Sequence, residues 1–135
     1  MTHPQAMSAQ TMPSLYGDVI STFMGVAKAT DPKATDADVV VSGVPFDLAC
    51  SGRSGTRMGP NAIRQSTANL IWEGKRWPWN FTLEERLKVC DAGNVDYAYG
   101  ELESLVDNLE THANRWLSAG KKMLTLGGDH YISLP

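Results

Sequence analysis

A parallel α/β sheet with helices packed on its faces is the fold class this sequence predicts, and three observations carry the prediction. Short β-branched or apolar runs alternate three times with segments of helical spacing, the pattern of strand–helix–strand units in one sheet. Two of those runs, Val39 to Val41 and Met123 to Leu126, are apolar without alternation, as strands covered on both faces are. The last run turns through Gly127-Gly128 into Asp129-His130, which sets a histidine at the strand tip, the edge where open α/β sheets bind ligands.

Residues 1–37 are rich in Ser, Thr, Pro, Ala and Met, with one apolar stretch from about Leu15 to Val26 and a turn at Asp31-Pro32. They read as a partly flexible arm with one helical turn. The domain proper runs over 38–135. Its first strand is Val39-Val40-Val41, leading through Ser42-Gly43-Val44-Pro45-Phe46. A Gly/Ser/Arg loop from Asp47 to Gly59 follows, and Pro60 then opens a helix at the position where its missing N–H costs nothing. Ile63, Thr67, Leu70 and Ile71 keep helical spacing, and Glu73-Gly74 ends it. Pro78 disfavours the helical conformation at Trp77, so Trp77-Pro78-Trp79-Asn80-Phe81 reads as a packed loop. Leu87 to Gly93 is the second strand. A second helix spans about Glu101 to Ala119, its apolar stripe formed by Leu102, Leu105, Val106, Leu109, Ala113, Trp116 and Leu117, with Gly120 as its left-handed stop. Met123 to Leu126 is the third strand.

The composition narrows the function classes. The chain has 135 residues, 42% hydrophobic and 20% charged, with a formal net charge of −3, which suits one globular domain. No basic field is present to attract a phosphate backbone, so nucleic acid is not the expected partner. No apolar stretch approaches the roughly 20 residues of a membrane span, and Met1 to Thr11 lacks the basic and apolar regions of a secretory signal. Cys50 and Cys90 are forty positions apart and form no CxxC pair, which favours two free thiols in a reducing compartment. A cytoplasmic protein is expected.

Four constellations offer chemistry. His130 after Gly127-Gly128-Asp129 is a candidate transition-metal ligand, against the alternative of a capping or core histidine. The loop Ser51-Gly52-Arg53-Ser54-Gly55-Thr56-Arg57-Met58-Gly59-Pro60 could cradle an anion at a helix N-terminus or be solvated. It matches neither dinucleotide nor P-loop spacing. Trp72, Trp77, Trp79 and Phe81 suit core or a subunit interface better than a cation pocket. Of the carboxylates Asp91, Asp96, Glu101 and Glu103, only Asp91 leaves a strand end, and the others read as solvated charges near a helix start. His3, in the arm, and His112, at the margin of the second helix's stripe, have no partner at ligand spacing.

Taken in order, Gly43-Val44-Pro45-Phe46-Asp47, the loop Ser51 to Pro60 with Ala62-Ile63-Arg64, the Trp77 to Phe81 segment and Gly127-Gly128-Asp129-His130 resemble the arginase-related ureohydrolases, most of all the agmatinases. The resemblance covers roughly residues 38 to 135. It implies a three-layer α/β/α arginase-like fold, truncated here after the third strand, and a site of two Mn(II) ions at the strand ends. It implies hydrolysis of a small guanidino substrate, agmatine to putrescine and urea, by a homo-oligomer. His130 is the one metal ligand it assigns. The remaining ligands belong to later Asp-x-His-x-Asp and Asp-x-Asp segments, no catalytic residue lies in this segment, and the substrate-binding residues stay unassigned. The expected chain is therefore an N-terminal fragment, inactive alone and with an uncovered sheet face. The alternative is a truncated, non-catalytic α/β interaction module. The loop from Asp47 to Gly59 is expected beside His130, as a wall of the cleft.

Overall fold

A computed structural model describes residues 22–68, 70, 74–75 and 77–135. Four strands form one sheet: β1 (Ala27–Lys28), β2 (Val39–Val44), β3 (Val89–Asn94) and β4 (Lys122–Gly127), in the order β1-β3-β2-β4 with every pair parallel. Among the described residues two α-helices accompany it, α1 (Gly59–Thr67) and α2 (Leu102–Ser118). The three strands expected from the sequence are β2, β3 and β4. β1 was not foreseen, because two residues are too few to show a period, and it draws part of the 1–37 segment into the sheet beside Cys90 and Asp91. Within the described part of that segment there are two 3-10 turns rather than one, Phe23–Gly25 and Pro32–Ala34, the second capped by Asp31 and burying Pro32. Residues 1–21 and His3 lie outside the described residues.

β2 is the central strand and shows why the fold has three layers. Its side chains alternate, so Val40, Ser42 and Val44 face α2: Val40 packs with Trp116, and Val44 with Leu105 and Leu109. On the opposite face, a side chain at Gly43 would run into Pro60 and Arg64 of α1. That position has to be glycine for the helix to sit so close. Val40, Val41, Val44, Leu105 and Trp116 are essentially inaccessible, and each contributes on the order of 1.5–3 kcal/mol through burial.

α2 keeps its expected span, but only part of its stripe is covered. Leu105, Leu109 and Trp116 are buried, whereas Leu102 and Leu117 are 43% and 53% exposed. After it, Gly120 (φ +75°) takes the left-handed turn, and the Gly120 and Lys121 amides donate to Leu117 and Trp116 carbonyls. α1 departs further from expectation. It ends at Thr67 rather than near Glu73, and it buries Pro60 and Arg64 while Ile63 and Leu70 are each 37% exposed. The polar anchor of Arg64 described below sets its rotation on the sheet, and this overrides the apolar spacing.

β4, read as a strand covered on both faces, is open: Leu126 is buried but Leu124 is 43% exposed. It forms one edge of the described sheet, so no neighbouring strand shields it. The aromatic loop also differs from the packed segment expected. Trp77 and Trp79 are 92% and 61% exposed, and what order the loop has comes from a Trp79–Phe81 contact and the Arg86 guanidinium over the Phe81 ring. Trp72 lies outside the described residues. No described helix is long and apolar enough to cross a membrane.

His112 is structural, as its position suggested. Its Nε2 and the buried Ser42 Oγ share a hydrogen bond of 2.7 Å, and the ring leans on Trp116. Burial, and secondarily the charge of Arg115, push its pKa below the ordinary 6.5. As pH falls below that value the unfolded chain takes up the proton first, so stability should fall from pH 7 downward until the folded-state value is passed. His112→Gln, which keeps a polar partner for Ser42, is expected to flatten this slope, read as the difference in urea midpoint between pH 7.5 and 5.5. An unaltered slope would show that another group is responsible.

Candidate metal-ligand turn

The C-terminal ends of β2 and β4 meet where the chain leaves both strands. Past β2, Phe46 folds back so that its amide donates to the Val44 carbonyl (2.9 Å). Past β4, the Gly128 amide donates to the same Val44 carbonyl (3.1 Å) and the Asp129 amide to the Phe46 carbonyl (2.8 Å). Gly128 thus lies against bare backbone, and a Cβ there would meet the Phe46 nitrogen at 2.7 Å and the Val44 oxygen at 2.8 Å. At Gly59, the first residue of α1, a Cβ would meet the Gly127 carbonyl oxygen at 2.7 Å. The glycines on either side of this junction answer a demand for close backbone approach.

Asp129 then caps a 3-10 turn, His130–Ser133, by accepting the Tyr131 amide (2.9 Å) on Oδ1. Its Oδ2 accepts the Ala49 amide (2.8 Å), with the Cys50 thiol 4.0 Å away. Beneath, Phe46 stacks against Tyr97 and Tyr131. His130 itself is exposed: its imidazole opens toward solvent at the sheet edge, beside a carboxylate already occupied by two peptide amides.

The loop from Asp47 to Gly59 lies against this turn, as expected from the strand order. It is held internally by the buried Asp47, whose Oδ2 accepts the Gly55 amide (2.8 Å) and whose Oδ1 lies 3.4 Å from Arg57. Arg57 also donates to the Tyr99 hydroxyl at 2.6 Å, with its guanidinium over that ring. Cys50 hydrogen-bonds Thr56 (3.2 Å). Both cysteines are free, and burial pushes the Cys90 thiol pKa up. Of the two arginines that an anion cradle would use, one reading of this loop, Arg57 is partly engaged by Asp47 and Tyr99 and Arg53 is exposed.

Asp91, the carboxylate expected to leave a strand end, lies within β3. It is fully buried with Arg64, which donates through Nε to Oδ2 (2.8 Å) and through Nη2 to Oδ1 (2.9 Å). Arg64 also reaches Asn94 (2.6 Å) and the Gly93 carbonyl (2.9 Å), while the Phe23 and Gly93 amides donate to Asp91. Burial alone would raise the Asp91 pKa; the guanidinium and the two amides outweigh it and hold the carboxyl below its ordinary value of 3.8. Asp96, Glu101 and Glu103 are exposed, as solvated charges should be. The clamping roles of Asp47, Arg64 and Asp129 escaped the sequence reading. For Asp129 a signal existed, since Asp before a tight turn commonly binds an amide two residues on. Among the described residues, no three His, Cys, Asp or Glu side chains gather into a group able to hold a metal ion.

Comparison with known proteins places this geometry. Residues 37–135 match the model of the arginase family. Over 104 residues the chain is 58% identical to an agmatinase from Edwardsiella ictaluri, covering 77% of this chain and 34% of that protein. The crystal structure of a hypothetical agmatinase from Burkholderia thailandensis superposes with a TM-score of 0.77 at 39% identity, over 88% of this chain and 36% of that one. Proclavaminate amidino hydrolase from Streptomyces clavuligerus gives a TM-score of 0.73 at 30% identity, over 89% and 38%. The chain spans about a third of the length of the relatives it matches. With its parallel sheet, covering helices and Gly-Gly-Asp-His turn, this chain belongs to the arginase family of ureohydrolases and within it is similar to the agmatinases.

Proposed function

We propose that this chain supplies part of an agmatinase-like ureohydrolase, which cleaves a guanidino C–N bond and converts agmatine and water to putrescine and urea. The observation that carries the reading is the exposed His130 on a capped turn at the C-terminal edge of the sheet, in a chain similar to agmatinases. A pair of Mn(II) ions is the proposed cofactor, with His130 as one ligand. The fit extends to that one position: a solvent-facing imidazole nitrogen is a good donor for such an ion, and among the described residues no group of three His, Cys, Asp or Glu side chains forms a site. A bound metal pair would supply Lewis acidity toward water and the guanidinium. This chain's own residues orient the ligand and shape one wall of the cleft through the Asp47–Gly59 loop. A homo-oligomer in the cytoplasm belongs to the same reading.

The test is a chimera in which residues 38–135 replace the matching segment of the Edwardsiella ictaluri agmatinase. It is expected to release urea from agmatine with Mn(II) present. His130→Ala in the chimera should lower the rate by more than about a hundredfold, because even the outer partners of metal ligands are worth 10- to 100-fold. Excess Mn(II) should restore part of it. A chimera that folds and shows the same activity with and without His130 would refute the assignment. The 135-residue chain alone, with one imidazole at the site, is expected to release no urea.

A further inference from the structure

We propose that Asp129 is a positioning residue whose two carboxylate oxygens lock the Asp47–Gly59 loop to the turn bearing His130, so that cleft wall and metal-binding imidazole are set as one unit. The inference rests on the reading of His130 as a ligand. Asp129 is only 8% exposed. It is held at three points: its amide donates to Phe46, Oδ2 accepts from Ala49 and Oδ1 accepts from Tyr131.

The partners belong to different parts of the chain. Ala49 lies 80 residues before Asp129 and Tyr131 two after it. A charged acceptor makes each bond stronger than a neutral one would. One amide on each oxygen ties both ends of the carboxylate, one to the loop and one to the turn. The neighbouring His130 is the first residue of the capped turn, so the cap fixes the direction in which its Cα–Cβ bond leaves the backbone. Asp47 offers an internal contrast. It also accepts a loop amide, that of Gly55, but it joins the loop to itself and to Arg57 rather than to the His130 turn.

The test is NMR on this chain, following amide hydrogen exchange and the His130 ring resonances. In the unaltered chain the Ala49 and Tyr131 amides should be protected. Asp129→Ala should raise exchange at both by about tenfold or more, the scale of a lost hydrogen bond to a charged group, and should shift the His130 ring resonances. Asp129→Asn keeps one carbonyl acceptor and should fall between the two. Asp47→Ala, which removes the acceptor, should release Gly55 while leaving the His130 resonances in place. Rapid exchange of the Ala49 amide in the unaltered chain would overturn the proposal even if no variant folds. So would unmoved His130 resonances in a folded Asp129→Ala chain. The ligand reading is scored separately: Mn(II) added to the unaltered chain should broaden the His130 ring signals selectively, and His130→Ala should leave Ala49 and Tyr131 protected.

Discussion

Arg64→Met is expected to destabilise the fold by about 3–5 kcal/mol, the usual consequence of removing one member of a buried ion pair. The substitution keeps most of the apolar length of the side chain, so the loss comes from leaving the Asp91 carboxylate without its guanidinium in a site where both partners are 1% exposed. Two peptide amides would remain on Asp91, and these are too few to replace a bidentate cation. Urea unfolding of variant and parent at pH 7 measures the difference; a change below about 1 kcal/mol, the range of an exposed pair, would mean that the pair is open to solvent. Replacing both partners, as in Arg64→Met with Asp91→Leu, should recover part of the loss, since no unpaired charge is then left buried, although the Phe23 and Gly93 amides lose their acceptor. The pH dependence carries a sign. The folded-state pKa of Asp91 lies below its ordinary 3.8, so the pair's contribution is complete above that value and is lost as pH falls through the lower folded-state value. Arg64→Met should therefore reduce the acid sensitivity of stability in that window.

Gly128→Ala is expected to be nearly as damaging although it adds one methyl group. The new Cβ would press on the Phe46 nitrogen and the Val44 oxygen, and these are main-chain atoms of the junction between β2 and the turn. A flexible side chain could swing aside; backbone held by the Gly128 and Asp129 amides cannot. Overpacking costs about 1–3 kcal/mol where side chains can adjust, and the upper end or beyond is expected here. Gly127→Ala is the control, because its Cβ would meet only the tip of Ile132, which has rotamers to spare. Unfolding midpoints of the two variants should separate clearly, with Gly128→Ala the lower. Equal midpoints would show that the turn is not stitched to β2 as described.

Both experiments probe the same design: a parallel sheet whose strand ends are tied together by polar groups and glycines so that one histidine can stand at the edge. Exposure of Trp77 and Trp79 shows the converse, that large aromatic side chains need not mark the core.

The sequence by itself determined the elements with strong periods and strong stops. β2, β3, β4 and α2 stand where β-branched runs, a seven-residue stripe and Gly120 put them, because these signals are local and the backbone obeys them within a few residues. It also determined the edge at which His130 emerges, since a strand followed by Gly-Gly has little choice but to turn there. The ordered motifs pointed to the family for the same reason. What only the tertiary structure decided was which side chains meet across long stretches of chain. Arg64 rotates α1 by finding Asp91, 27 positions on; β1 exists only because β3 offers it an edge; Asp129 closes on Ala49, 80 positions back. Such pairings leave no periodic trace. A buried arginine, a two-residue strand and an aspartate cap become legible only when the sheet has brought their partners within about 3 Å, the range in which a hydrogen bond forms.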